Sequence, residues 1–163
     1  MPGEGALRFA EIDMVILRQE SGMSATGVTA LDHTIQETNV WLKAIDEQLH
    51  FASRQDAYNA LRAVLHALRE RLPAPVAAHL GAQLPILIRG IYYEGWHLGE
   101  KPTTERKVEE FTDHVRQQLP ARLSTDPLAV TRGVFEILWE RIDPDEFAKV
   151  MEHLPVAVRN LRP

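Results

Sequence analysis

The sequence predicts an all-α protein made of two tandem, pseudo-symmetric helical repeats of about four helices each, which pack into one compact bundle. Three observations support this prediction. Apolar residues recur at steps of three and four along most of the chain, which is the spacing of one face of a helix. No stretch shows the alternation typical of a half-buried strand. Finally, the second half of the sequence matches the first at a constant offset.

The internal match is clearest from Asp56 and from Asp126 onward. The stretch "DAYNALRAVLHALRERLPAPVAAHLGAQLPILIRGI" aligns without a gap with "DPLAVTRGVFEILWERIDPDEFAKVMEHLPVAVRNL", at an offset of 70 residues. The alignment keeps charges, prolines and apolar positions together, for example Arg62 with Arg132, Glu70 with Glu140, and Arg89 with Arg159. We interpret the match as an internal duplication.

The first copy begins with two amphipathic helices. The apolar stripe of the first helix consists of Leu31, Ile35, Thr38, Leu42, Ile45 and Leu49. The stripe of the second consists of Leu61, Leu65, Leu68 and Leu72. Two shorter helices follow, because Leu84-Pro85 ends one helix and can begin another.

The second copy repeats this order. Its first helix has the stripe Val108, Phe111, Val115 and Leu119, and its second has Val130, Val134, Ile137 or Leu138, and Ile142. Asp126-Pro127 and Asp143-Pro144 each place a capping side chain before a proline, which is typical of a helix start. Leu154-Pro155 separates the last two helices, as Leu84-Pro85 does in the first copy.

These elements divide the chain into four segments. Residues 29–96 form the first repeat, residues 97–103 form a linker containing glycine and proline, and residues 104–163 form the second repeat. Residues 1–28 match neither copy. We expect residues 1–28 to be an N-terminal extension that is flexible or not part of the native protein. Met23 is an alternative start, and a chain that begins there lacks residues 1–22.

Composition narrows the classes of function. The chain has 163 residues, 45% of them hydrophobic, and no cysteine, which excludes disulfides, thiolate metal sites and cysteine nucleophiles. No apolar run approaches the roughly 18 residues of a membrane span, so we expect a cytoplasmic protein without membrane contact. The formal net charge is −5, and neither copy is basic, which makes nucleic acid an unlikely partner.

The segment "RGIYYEGW", residues 89–96, concentrates aromatic side chains. Gly95 lies where a helix begun at Pro85 needs a left-handed residue to end, and Trp96 would then pack back onto Ile91. Two successive tyrosines point about 100° apart, so one should meet the core and the other the surface. We interpret the aromatics as packing in the seam between the copies. The alternative is a ligand or partner pocket lined by Arg89, Tyr92, Tyr93, Glu94 and Trp96.

A metal site is a second hypothesis. His66 and Glu70 lie four residues apart on one helix face, and the matching positions in the second copy are Glu136 and Glu140. If the pseudo-axis brings these faces together, one imidazole and three carboxylates could hold a metal ion. The alternative is a solvated face, since no established metal-binding pattern is present and no cofactor is indicated.

Catalysis has no support in the sequence. There is no nucleophile elbow and no glycine-rich phosphate loop. The duplicated arginines, at positions 62, 71 and 89 of the first copy, could bind an anion. Arginines in such settings more often pair with nearby acids, and Glu70 and Glu140 lie beside two of them.

Several stretches resemble one bacterial family. They are "MSATGVTALDHTIQETNVWL", "AYNALRAVLHALRERLP", "AAHLGAQLPILIRGIYYEGW" and "KPTTERKVEEF". The family is the domain of unknown function numbered twenty-two sixty-seven, and the resemblance runs from about Met23 to the C-terminus, closest in the first copy. It implies an all-helical cytoplasmic protein. It implies no particular activity, cofactor or catalytic residue.

We therefore expect a non-enzymatic helical module that binds or regulates, with a protein partner or a second copy of itself as its first partner. One alternative is a protein that binds a small ligand or a metal ion at the seam between the repeats. A nucleic-acid-associated regulator is the second alternative, and it would need basic residues of both copies to converge on one face.

Overall fold

The computed structural model describes residues 24–99, 102 and 104–163. Every regular element in these ranges is an α-helix, which confirms the prediction of an all-α protein. The eight helices of these ranges are α1 (Thr29–Leu49), α2 (Arg54–Arg69), α3 (Ala74–Ala82), α4 (Ile86–Tyr93), α5 (Val108–Gln118), α6 (Pro127–Arg141), α7 (Pro144–Glu152) and α8 (Val156–Arg159). No helix of the described ranges is long and apolar enough to cross a membrane. Residues 1–23, most of the predicted extension, lie outside the described residues.

The described chain divides into two units between His33 and Thr34. In the first unit, the residues before α1 form a capping turn on Asp32. The hydroxyl and the backbone N–H of Thr26 donate to Asp32 Oδ1 at 2.9 and 3.0 Å, and the hydroxyl of Ser24 donates to Oδ2. The Ser24 bond, followed by those of Thr26, holds the pKa of Asp32 below its usual range. These bonds satisfy polar groups at the start of α1.

Residues 34–163 form the second unit, a compact helical bundle. α2 lies at its centre and contacts α4, α5 and α6. Its buried side chains surround the helix rather than forming one stripe, and those at most 1% exposed include Ala57, Leu61, Val64, Leu65 and Leu68. A helix that is apolar on most sides is stable only when other helices cover it. The core of the bundle is therefore built around α2.

The predicted Asp-Pro helix starts are confirmed. Asp126 caps α6 and accepts a hydrogen bond from the N–H group two residues on, at 3.3 Å. Asp143 caps α7 and accepts from the N–H groups two and three residues on, at 3.0 and 3.1 Å. Pro127 and Pro144 occupy the first helical positions, where the N–H that proline lacks would have no partner within the helix.

Two arginines fix the turns between the short helices. Arg89 donates from Nε and Nη2 to three carbonyl oxygens, those of Gly81, Ala82 and Leu84, at 2.9, 3.2 and 3.0 Å. Arg159 donates from the same atoms to the carbonyl oxygens of Met151, Glu152 and Leu154, at 3.2, 2.8 and 3.2 Å. In each half, the three carbonyl groups belong to the end of a helix and to the Leu-Pro turn that follows it. Each guanidinium therefore binds carbonyl groups that have no partner within the helix.

Candidate functional site

The predicted helix end in residues 89–96 is confirmed. α4 ends at Tyr93, and Gly95 has a φ of +67°, in the left-handed region that glycine adopts without strain. The N–H of Glu94 donates to the carbonyl of Gly90 at 3.1 Å, and the N–H of Trp96 donates to that of Tyr93 at 3.1 Å. The glycine and the backbone bonds around it thus end the helix.

The aromatic rings of this segment pack on α3, within the same half of the sequence. Tyr92 is fully buried, and its hydroxyl donates to the carbonyl of Ala77 at 2.8 Å. Tyr93 is half-buried and donates to Ala78 at 3.3 Å. Trp96 stacks on Tyr93 with ring centroids 5.6 Å apart. One tyrosine faces the core, as predicted, but the predicted seam position is not seen in these contacts.

Two arginines of α2 bind backbone carbonyls and a carboxylate of residues 89–96. Arg69 donates from Nη1 to the carbonyls of Tyr92 and Glu94, both at 2.6 Å. Arg62 pairs with the Glu94 carboxylate at 2.9 Å and holds its pKa below its usual range. Trp96 lines a small cleft of about 70 Å³, but the other four residues of the predicted pocket are absent from its wall. The four are Arg89, Tyr92, Tyr93 and Glu94.

The residues of the predicted metal set have separate partners. Glu70 pairs with Arg69 at 3.1 Å, and Glu136 accepts a hydrogen bond from Gln48 at 2.6 Å. Within the described ranges, no three side chains of His, Cys, Asp or Glu are grouped so that they could hold a metal ion. The structure therefore does not bring the set together. Its members are His66, Glu70, Glu136 and Glu140.

His66 on α2 is instead buried, and its ring contacts residues of α4 and α5. Its Nε2 lies 2.8 Å from the carbonyl oxygen of Ile91, and its Nδ1 lies 3.1 Å from the side-chain amide of Gln118. In the neutral ring, the proton on Nε2 donates to the carbonyl of Ile91. The atom that faces Nδ1 is Gln118 Oε1, so Nδ1 accepts a hydrogen bond from this amide only when the amide is turned to present its N–H. Burial lowers the pKa of His66, and the nearby charges of Arg69 and Arg62 lower it further. The ring thus joins α2 to α4 and α5 in its neutral form.

A wide opening lies where the segment before α5 meets the last helix. This junction cleft has a volume of about 600 Å³. One wall is the segment before α5, and the other is the Leu-Pro turn before α8. The lining residues are Arg71, Thr104, Glu105, Arg106, His153, Leu154, Pro155, Val156 and Ala157. The sequence predicted no site here.

Arg71 lies at the base of the junction cleft, and both of its terminal nitrogens have partners. Its side chain is 1% exposed and pairs with the Glu105 carboxylate. Nη1 donates to the carbonyl of Ala67 at 2.9 Å and lies 3.3 Å from His114 Nδ1. The guanidinium also lies 4.8 Å from the ring centroid of Phe111. Arg71 thus joins the end of α2 to the segment before α5 and to α5 itself, which favours a structural role for this arginine over anion binding.

The walls of the cleft offer apolar surface and positive charge to solvent. Val156 is 63% exposed, although Leu154 and Val158, two residues away on either side, are buried. Arg106 and His153 are exposed at the rim. His153 Nδ1 lies 2.9 Å from the carbonyl oxygen of Lys149, which leaves the Nε2 edge of the ring for a bound group. An occupant would therefore meet an aliphatic surface flanked by a cation and an imidazole.

In the first half, α1 contacts the matching turn through one hydrogen bond. There, the N–H of Leu87 donates to the hydroxyl of Thr34 at 3.1 Å. Seventy residues later, the matching positions are Ala157 and Thr104, but Thr104 is not helical because α5 begins only at Val108. Thr104 and Ala157 both line the junction cleft.

The late start of α5 has a local cause. The Glu110 carboxylate accepts hydrogen bonds from the N–H groups of Arg106 and Lys107, both at 2.9 Å. These bonds lower the pKa of Glu110 and satisfy donors at the first turn of the helix. A glutamate three residues after the capping position is a signal that sequence reasoning could have used to find the boundary of the cleft.

A smaller apolar pocket adjoins the junction cleft. It has a volume of about 240 Å³ and lies between α3 and α7, with Pro75, Val76 and Val150 in its lining. His153 lines both openings. Glu146 on α7 binds both His79 and Lys149, which also line this pocket. The two openings therefore meet at His153.

Comparison with known proteins places the chain in a family. A search of curated proteins finds no match. The family model described as "Uncharacterized conserved protein (DUF2267)" matches residues 38–161, which includes α2 to α8 and the whole lining of the junction cleft. The match covers about three quarters of the chain and agrees with the resemblance of the sequence segments quoted above. The chain therefore belongs to the DUF2267 family.

Proposed function

We propose that this protein is a non-enzymatic binding module that recognises a segment of a partner protein in the junction cleft. The observation that carries the proposal is the junction cleft beside the Leu-Pro turn before α8. A cleft of about 600 Å³ with exposed Val156 at its wall has the size and apolar character of a binding surface.

The proposal includes two tandem repeats, residues 29–96 and 104–163, joined by residues 97–103. Arg89 and Arg159 support this interpretation, because each makes the same three bonds at positions 70 residues apart. The packing of α2 against α6, and of α3 against α7, also supports it, since corresponding helices meet each other near a twofold axis.

The polar groups of the cleft favour binding over catalysis. At its base, Arg71 and Glu105 neutralise each other, and the remaining donors of Arg71 go to backbone carbonyls and His114. A catalytic acid or base must reach the substrate with a proton to give or accept. Here the groups at the rim, Arg106 and His153, are better suited to contact a partner than to act on a bond.

Native mass spectrometry of the untagged protein, purified without chelators, tests the proposal together with a metal assay on the same sample. We expect the mass of the polypeptide alone, because a protein partner is lost on purification. A stoichiometric extra mass or a bound metal would contradict the proposal.

A small-molecule ligand is the second candidate. The volume of the junction cleft favours it, since pockets of about 300–1,000 Å³ hold ligands of drug size. An extra mass that is displaced in the Val156→Asp variant would support this candidate. Its displacement in Ile86→Asp, at the matching position of the first half, would not.

A further inference from the structure

We propose that residues 91–96 form a latch that opens when His66 takes up a proton. The latch consists of the last turn of α4 and the three residues that follow this helix. Three side chains of α2 hold it closed, those of Arg62, His66 and Arg69. Neither the latch nor these three side chains line the junction cleft, so the latch does not depend on what binds there.

The contacts that hold the latch come from one row of basic side chains on α2. His66 Nε2 donates to the carbonyl of Ile91 at 2.8 Å, and Arg69 Nη1 donates to two carbonyl oxygens of the latch, both at 2.6 Å. Arg62 pairs with the Glu94 carboxylate at 2.9 Å. The three side chains are four and three residues apart, which places them on one face of the helix. The latch therefore covers a row of two cations with a neutral imidazole between them.

A proton on His66 would put three cations in this row. The carboxylates nearby, Glu94 and Glu70, are already paired with the two arginines. From α5, the group that faces the ring is the uncharged amide of Gln118, 3.1 Å from Nδ1. Burial of the ring and the charges of the two arginines hold the pKa of His66 below its usual range. The closed latch therefore disfavours the charged ring.

The charged ring would keep acceptors but would lose water. Both of its N–H groups could donate, one to the carbonyl of Ile91 and one to Gln118 Oε1. Two neutral acceptors do not compensate a buried cation for its lost hydration when two further cations lie beside it. Opening of the latch admits water to the ring and frees it from its contact with α4. The open state is therefore the one that favours the proton.

The latch can open while the rest of the bundle stays folded. α4 has only eight residues, and Glu94 and Gly95 after it are exposed. Short elements with an exposed end open at a lower free energy than the core does. Tyr92 opposes the opening, because it is fully buried and its hydroxyl donates to the carbonyl of Ala77. We therefore expect a latch that is closed at neutral pH and opens more often in acid.

Hydrogen exchange of the full chain, followed by mass spectrometry, measures the opening. The N–H groups of Glu94 and Trp96 report it, because they bind the carbonyls of Gly90 and Tyr93 when the latch is closed. We expect the protection factors of residues 91–96, each corrected for the intrinsic exchange rate, to fall about tenfold between about pH 7.5 and about pH 5.5. The exposed ring titrates near pH 6.5, whereas the buried ring stays neutral over this range.

Three variants connect the effect to His66. His66→Gln should remove the pH dependence, because its amide can donate to the carbonyl of Ile91 at both pH values. His114→Gln is the matched control, since this second histidine with a lowered pKa lies beside Arg71, and the tenfold fall should remain. Gln118→Glu should keep the latch closed in acid, because it gives the charged ring a carboxylate partner. Circular dichroism checks that each variant is folded.

Urea separates opening of the latch from unfolding of the whole bundle. Exchange at residues 91–96 should change little in about 1 M urea, because a small opening exposes little surface, whereas the central amides of α6 should lose protection. Equal protection at both pH values, or the same urea dependence in the latch and in α6, would overturn the proposal. So would a tenfold fall that persists in His66→Gln, or a latch that opens in acid in Gln118→Glu as it does in the wild-type chain.

Discussion

Arg89 and Arg159 illustrate how one side chain can hold a turn between two helices. A helix leaves its last carbonyl groups without partners, and the proline that follows cannot donate to them. Arginine suits this position because its planar fork presents several N–H donors in a fixed geometry, which lysine cannot reproduce. In each half, the three bonds of the guanidinium connect a helix end to the Leu-Pro turn that follows it.

Replacing either arginine should destabilise the protein. We expect Arg89→Ala and Arg159→Ala each to lower the free energy of unfolding by about 1–3 kcal/mol, because three carbonyls lose a charged donor. Arg132→Ala, at an exposed position of α6, should change it by less than about 0.5 kcal/mol. Urea denaturation followed by circular dichroism measures all three. Equal values for the three variants would mean that these bonds contribute nothing to stability.

The role of these arginines could be predicted only in part. The sequence alignment identified Arg89 and Arg159 as a duplicated pair and allowed anion binding or an acidic partner. Their partners are backbone carbonyls, which become available only where α3 and α7 end. Every residue has a backbone carbonyl, so the sequence does not show which carbonyls an arginine will bind. A glutamate beside an arginine, in contrast, can be seen in the sequence.

At the scale of helices, local signals predicted most boundaries. The side chains of Asp126 and Asp143 cap the helices that follow them, so these two helix starts can be predicted from the residue types alone. Glu110, three residues after the capping position, binds N–H groups at the start of α5, and the segment before this start lines the junction cleft. The sequence alignment of the two halves did not reveal this late start of α5. It matches Thr34 with Thr104, but Thr34 is helical and Thr104 is not.

Close packing between α1 and α6 gives a prediction at this scale. A Cβ on Gly133 of α6 would lie 2.6 Å from Leu49 Cδ2. We expect Gly133→Ala to lower stability by about 1 kcal/mol, because the clash exceeds the gain in helix propensity. Gly90→Ala in α4, where a Cβ meets open space, should instead raise stability by up to about 1 kcal/mol.

Thermal denaturation of the two alanine variants tests this contact between helices. Adding Leu49→Ala to Gly133→Ala removes the clash, so the double variant should be more stable than the sum of the single effects. Additive effects, or a stabilised Gly133→Ala variant, would show that Leu49 moves aside at little cost.

At the scale of the whole molecule, buried polar side chains connect the helices that flank the linker. His66 on α2 contacts α4 and α5, and Arg71 at the end of α2 contacts Glu105 and His114. Predicting them requires the packing of α2 against α5, which no local pattern specifies. The seven histidines gave no sign in the sequence of which would be buried. The structure singles out His66 and His114, whose pKa values are lowered.

These two histidines make the stability of the fold depend on pH. Burial lowers the pKa of both, and the charge of Arg71 lowers that of His114 further. As the pH falls below about 6.5, the ordinary pKa of histidine, the unfolded chain takes up protons before the folded one does. The free energy of unfolding should therefore fall as the pH is lowered from about 7.5 to about 5.5. Ordinary carboxylates titrate mainly below this range.

The histidine contribution can be isolated by substitution. In His66→Gln, the amide can still donate to the carbonyl of Ile91 but does not titrate, so the stability of this variant should change less between the two pH values. His97→Gln removes an exposed histidine and serves as the control. Urea denaturation at both pH values gives the comparison. An unchanged pH dependence in His66→Gln would mean that the bundle accommodates a charged His66, for example by opening at α4 to admit water.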